Sequence, residues 1–194
     1  MLLRSLLGSE ALQRLIVHFV ARPESRLHFR ALGRRLGLSR QSLRNALDTL
    51  DGLGLVRAVP NGQRVHYEAT DHPGWQILRD LVRTFAAPAE IVGDLLQGVR
   101  GVQAAGVFGS AVTGQMRADS DVDVLVISEG ADAGVLGVAV AEAGLVLGRD
   151  IDLKRYRPHE IRAEQQRPGT SYIKRVLDGP IDWIIEPTPG AQLV

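Results

Sequence analysis

The chain has no cysteine. Disulfides and thiolate zinc sites are therefore excluded, and a reducing, cytoplasmic setting is expected. It has no apolar stretch long enough to span a bilayer. Met1-Leu2-Leu3-Arg4-Ser5-Leu6-Leu7 is apolar, but Arg4, Glu10 and Arg14 interrupt the region, and it lacks the long apolar core and cleavage site of a signal peptide. The five histidines (18, 28, 66, 72 and 159) show no metal-ligand spacing. His18, at the border of an apolar helical face, reads as a packed residue, and Trp75 and Trp183 read as core. Neither an internal repeat nor a low-complexity tract is present.

Lysine is missing from the front of the chain. Residues 1–70 carry 11 arginines against 5 acids, a net charge of +6. The remaining 124 residues carry −5, within an overall charge of +1. A basic front and an acidic back suggest two modules with different partners. The front suits a phosphate backbone. The back suits metal–nucleotide chemistry, in which cations neutralise clustered carboxylates.

Leu12, Leu15, Ile16 and Phe19 fall on one helical face with Ser9 placed to cap it, and Arg22-Pro23 should end that helix. A short helix over Phe29–Leu36 is stopped by Gly37. Ser39 then caps a third helix, with Leu43, Ala46, Leu47 and Leu50 inward and Gly52 and Gly54 at its end. Leu55–Val59 and Val65–Ala69 are short β-like runs around an Asn61-Gly62 turn signal. Three helices followed by a hairpin is the order of a winged helix-turn-helix. The run Leu38–Leu50, closing in Leu53-Gly54-Leu55-Val56, resembles the bacterial regulators typified by the antibiotic-resistance and arsenic repressors.

That resemblance implies double-stranded DNA as a partner, read by the outward half of the third helix. Ser39, Arg40, Gln41, Ser42, Arg44 and Asn45 are the candidates there, and Arg57 and Arg64 flank the hairpin turn. Such regulators bind paired half-sites, so a homodimer is expected. The competing readings are a solvated polar face, or a module for protein contacts.

Pro73 is placed to open a helix in which Trp75, Leu78, Val82 and Phe85 form a seam that could pack on either domain or on a second copy of itself; two heptads are too few to establish a coiled coil, so packing within the chain is the expectation. Pro88–Gln97 is a further amphipathic helix. The domains expected are residues 1–70, a helical linker over 71–98, and an α/β domain over 99–194. Within the last, strands are expected at Val102–Phe108, Asp121–Ser128, Asp150–Tyr156 and Ile181–Ile185, and helices at Ala131–Gly144, Pro158–Gln166 and Ser171–Leu177. The overall class is α+β with a mixed sheet in the rear domain.

Gly109-Ser110 precedes Asp121-Val122-Asp123 by eleven residues. Two carboxylates at i and i+2 of a strand point to one side and repel unless a cation separates them. Glycine lets backbone approach a triphosphate, and a serine at a helix start offers a hydroxyl to an anion. Val122, Val124 and Val126 should bury the opposite side. The stretch Gly109–Val126, with Gly114 and the Asp119-Ser120-Asp121-x-Asp123 ending, resembles the signature of the DNA polymerase beta-type nucleotidyltransferases, especially the minimal bacterial members.

The resemblance implies magnesium or manganese as cofactor, held by Asp121, Asp123 and a third acid on the next strand. Asp152, between Ile151 and Leu153, fits the family's manner, and Asp150 is the rival. Gly109 and Ser110 would bind the nucleoside triphosphate, and a nucleoside monophosphate would pass to a hydroxyl acceptor, with a protein among the acceptor classes. Arg117, Lys154 and Lys174 are candidate phosphate partners. The alternative is a transcription factor whose rear domain no longer catalyses but senses nucleotide or mediates protein contacts.

Overall fold

The computed structural model describes residues 2–187 apart from Gly98, Met116, Ala118 and Asp119. The last three lie within the nucleotidyltransferase-like motif, so that part of it falls outside the described residues. The chain divides into two compact units, Met1–Ala87 with Leu145–Leu147, and Pro88–Gly144 with Gly148–Val194. The boundary at Ala87/Pro88 falls inside the stretch expected as a linker.

The first unit runs α1 (Leu2–Leu7), α2 (Glu10–Ala21), β1 (Leu27–His28), α3 (Phe29–Leu36), α4 (Arg40–Gly52), β2 (Val56–Asn61), β3 (Arg64–Ala69) and α5 (Gly74–Phe85). Ser9 caps α2, accepting from the Leu12 N–H at 3.0 Å. Burial on α2 is wider than one stripe: Leu15, Ile16, Val17, His18 and Phe19 are all buried, as befits a central helix. α4 obeys its 3.6-residue period, with Leu43, Ala46, Leu47 and Leu50 buried. Leu43 is fully buried, and truncating such a leucine to alanine costs about 2–5 kcal/mol.

Two features of this unit depart from the sequence reading. The hairpin strands extend to Asn61 and Arg64, which pair, leaving Gly62 and Gln63 as the turn. Pro60 therefore lies inside β2. It is tolerated because β2 is an edge strand in the sheet order β1-β3-β2, where a missing N–H costs no ladder bond. The two-residue β1 carried no sequence signal; it forms only because Leu27 and His28 find Tyr67 and His66 across the sheet. Trp75 packs within this unit, donating its indole N–H to the Leu55 carbonyl at 2.9 Å.

The second unit runs α6 (Pro88–Leu96), β4 (Val102–Phe108), α7 (Ser110–Thr113), β5 (Val122–Ser128), α8 (Ala133–Leu147), β6 (Ile151–Tyr156), α9 (Pro158–Gln166), α10 (Tyr172–Asp178) and β7 (Asp182–Ile185). Its sheet is mixed, in the order β6-β5-β4-β7. β5 pairs antiparallel with β4 and parallel with β6. A parallel neighbour needs a crossover, and α8 supplies it. That helix starts at its Asp132 cap, which accepts from the Val135 N–H at 3.0 Å. It runs past Gly144, the expected end, to Gly148, whose left-handed φ of 66° closes it.

β5 is buried on both faces. Val122, Val124 and Val126 fill one side as expected, but Leu125 and Ile127 on the Asp123 side are equally buried. They join Ala104, Phe108, Ile161, Ile173 and Val176 in a core under α9 and α10. Asp123 is thus the first residue of an otherwise apolar face, at the end where that face opens. Among the described residues, no helix is long and apolar enough to cross a membrane.

Candidate functional site

β4 delivers Gly109 to the same sheet end that β5 and β6 reach with their first residues. Gly109 has φ 73° and ψ −143°, a conformation that side chains other than hydrogen rarely adopt. A Cβ there would run into Oδ2 of Asp123. The backbone conformation favours glycine, and any side chain there would also require the Asp123 carboxylate to turn aside. Ser110 opens α7, and Phe108, the last residue of β4, is the register partner of Asp123.

Asp123 and Asp152 are register partners across the parallel β5–β6 pair. Asp121 lies just before β5, exposed. Burial pushes the Asp123 carboxyl above its ordinary range, and the charges of Asp152 and Asp121 push it further, against the pull of Lys154. Asp150 plays no part in this: it is exposed, and its carbonyl accepts from the Val122 N–H at 2.9 Å. The strand register therefore brings Asp152, not Asp150, beside Asp123.

Lys154, two residues along the same side of β6, puts Nζ 2.8 Å from Oδ2 of Asp152. Its hydrogen bond to Asp152 raises the ammonium pKa. The Tyr172 ring covers it, with Nζ 5.9 Å from the ring centre. The i, i+2 spacing of Asp152 and Lys154 on a strand was the available signal for this pair. Tyr172 had none, because it arrives from a helix twenty residues away in sequence.

Another candidate, Lys174, and a residue not among the candidates, Arg149, serve the scaffold. Lys174 donates to the carbonyls of Arg167 and Gly169 at 2.6 and 3.1 Å. Arg149 donates to the carbonyls of Arg117 and Ser120 at 2.7 and 3.2 Å, pinning the loop that leads into β5. Its role was not legible in the sequence.

The carboxylate oxygens suit a hard divalent cation in kind, and their mutual repulsion gives one a reason to bind. The donor set is not closed, however. Among the described residues, no three acidic or imidazole side chains group around one metal position, and Lys154 holds one oxygen of Asp152.

In the first unit, the six candidates on and before α4 are all exposed. Ser39 accepts from the Ser42 N–H at 3.1 Å, and the two hydroxyls lie 2.9 Å apart. Both are engaged in capping. Gln41 donates to Asn45 Oδ1 at 2.8 Å. Arg40 and Arg44 project from α4, the latter over the Phe29 ring at 5.4 Å. Arg64 is exposed at the hairpin turn. Arg57, by contrast, donates to the buried Glu68 at 2.8 Å. That bond, opposed by burial, helps hold Glu68 below the usual carboxylate range.

Residues 90–170 match the family model described as Polymerase beta, Nucleotidyltransferase. The matched stretch contains Gly109, Ser110, Asp121, Asp123, Asp152 and Lys154, and ends before Tyr172. Among curated proteins nothing matches the chain. The rear half is thus supported as a nucleotidyltransferase domain by an independent comparison, which says nothing of the front half.

Proposed function

We propose that the rear unit transfers a nucleoside monophosphate from a nucleoside triphosphate to a hydroxyl, and that the front unit is a winged helix-turn-helix that binds duplex DNA. The chain would then be a DNA-binding regulator carrying its own transferase. The observation that carries the catalytic half is the adjacency of Asp123 and Asp152 on neighbouring strands, beside Gly109, whose positive φ side chains rarely adopt.

In this reading Gly109 and Ser110 receive the triphosphate, which the missing Cβ allows close to the backbone. Magnesium or manganese, held by Asp121, Asp123 and Asp152, would neutralise charge on the phosphates when bound. Asp152 would have to exchange its bond to Lys154 for this role, which frees the ammonium for a phosphate oxygen. The acceptor's hydroxyl oxygen forms a bond to the α-phosphorus as the bond to the bridging oxygen breaks. Pyrophosphate leaves with that electron pair, and a carboxylate oxygen of Asp152 takes the hydroxyl proton. The acceptor is on a protein, a nucleic acid or a small molecule.

For the front unit, support comes from the exposed arginines of α4, the hairpin and the +6 charge of residues 1–70. Binding to paired half-sites would require a homodimer, which sedimentation with and without DNA would reveal.

The Lys154–Asp152 pair favours a second reading as well. An internal cation already compensates the third acid, as a non-catalytic nucleotide sensor would permit. Incubation with α-labelled triphosphates, magnesium and cell extract separates the two. A labelled product that disappears in Asp123→Ala supports transfer; binding of intact nucleotide without turnover, coupled to altered DNA affinity, supports the sensor.

A further inference from the structure

Tyr172 opens α10, one residue before Ile173, which is buried in the core that α10 shares with Leu125 and Ile127 of β5. That anchor fixes the first turn of the helix against the sheet. The Tyr172 ring lies over Lys154, with Nζ 5.9 Å from its centre, and Lys154 in turn holds Asp152 at 2.8 Å. Burial holds the phenol above its ordinary range, Lys154 pulls it down, and the charges of Asp123 and Asp152 push it up. The phenol is therefore neutral and within electrostatic reach of both carboxylates.

Among the described residues the Tyr172 hydroxyl makes no hydrogen bond, and the residue is 43% exposed. Nearby hydroxyls are engaged. Ser171 accepts from the Lys174 N–H at 3.3 Å, capping α10, and Ser120 accepts from the Arg117 N–H at 3.0 Å. Tyr156 packs against the core. A ring that only covered Lys154 would need no hydroxyl. The family match ends at residue 170, so it does not supply Tyr172.

We propose that the rear unit modifies itself, transferring a nucleoside monophosphate to the Tyr172 hydroxyl of the same chain. This rests on the transferase reading above and names its acceptor class, a protein tyrosine. The phenolic oxygen forms a bond to the α-phosphorus as the bond to the bridging oxygen breaks. Pyrophosphate leaves with that electron pair, and the phenol proton passes to a carboxylate oxygen of Asp152. A tyrosyl phosphodiester remains. A group tethered beside its reaction partner acts at about millimolar concentration or above. A second copy reaches the site only at its own bulk concentration, so the reaction stays within one chain. The attached nucleotide then lies over Lys154 and blocks a second triphosphate, so the modification limits itself.

The test is incubation of the purified full chain with magnesium or manganese and ATP, CTP, GTP or UTP labelled at the α- or the γ-phosphate, followed by peptide mapping by mass spectrometry. The α-label is expected on the peptide containing Tyr172, reaching a plateau of a single nucleotide per chain. Its first-order rate should change by less than about twofold over an about tenfold range of protein concentration. The label should be lost in Tyr172→Phe and in Asp123→Ala, and kept in Tyr67→Phe, a change in the first unit. The map of the unaltered chain needs no variant, so it decides the matter even where Tyr172→Phe fails to fold. Label on another residue, label retained in Asp123→Ala, a rate rising in proportion to protein concentration, or transfer of the γ-label would overturn the proposal. So would a chain that labels a component of cell extract and not itself, a result that leaves the transferase reading standing. A chain that labels neither would overturn both.

Discussion

The carboxylate of Asp123 lies against the α-carbon of Gly109, leaving no room for a methyl group between them. A strand end and a loop glycine thereby form one unit, although 13 residues separate them in the chain.

Gly109→Ala should cost about 1–3 kcal/mol of stability, the usual penalty for a side chain held in an unfavourable backbone region, and abolish nucleotide transfer. Part of the cost is the collision with Asp123, so Gly109→Ala/Asp123→Ala should be more stable than the two single effects sum to. A coupling of about 1 kcal/mol is expected for residues in contact. Urea unfolding of the four proteins measures it, and strict additivity would count against the contact.

Asp123→Asn should not destabilise the protein when divalent cations are absent. Burial and the Asp152 charge raise the Asp123 carboxyl, so its ionisation opposes folding, and stability falls as pH rises through its titration. Removing the charge should add on the order of 0.5 kcal/mol at pH 7, a small effect for a partly exposed group, and the advantage should vanish only below the unfolded carboxyl's titration, where both states are protonated. Thermal melts in chelator at both pH values would show it. A clear loss of stability at pH 7 would mean that Asp123 is a structural acid.

His18 should make the first unit acid-sensitive. Burial, with the charges of Arg22 and Arg35, lowers its pKa to about 3. Arg22 can only donate to its Nδ1, so Nε2 carries the proton and donates to Ser25 Oγ at 2.8 Å. Below the unfolded pKa of about 6.5 the unfolded chain takes up a proton that the folded one refuses, so stability falls with pH. The slope approaches about 1.4 kcal/mol per pH unit. Between pH 5 and 6.5, where carboxylates remain ionised, the opening free energy of the α2 amides, taken from hydrogen exchange after correction for the intrinsic exchange rate, should fall as pH falls in the native protein and change less in His18→Gln. Identical slopes would remove His18 from the account.

On the DNA-binding reading, Arg44→Ala and Arg64→Ala should each reduce the slope of log affinity against log salt by about 0.9, the contribution of one phosphate contact. Arg57→Ala should have the smaller effect, since Glu68 already holds that guanidinium. Mobility shifts across a salt series test the order. A chain with no salt-dependent duplex binding would leave the front unit as a protein-contact module.

The mixed α+β class and the mixed rear sheet were legible because apolar patterning is local: the α4 stripe and the apolar run of β5 are written in consecutive residues. The two-residue β1 was not, since it has no signal its partners do not supply; α8 carries two glycines able to end it, at 144 and 148, and only the structure shows that the second does.

For the site, the sequence by itself determined the candidates: a glycine-serine turn, two acids at alternating positions, and a choice between Asp150 and Asp152. Only the tertiary structure decided that Asp152 is the one beside Asp123 and that Lys154 and Tyr172 join it. The reason is physical. Spacing fixes which side of its own element a residue takes, whereas strand register and helix packing, set by long-range burial, fix which residue of another element it meets.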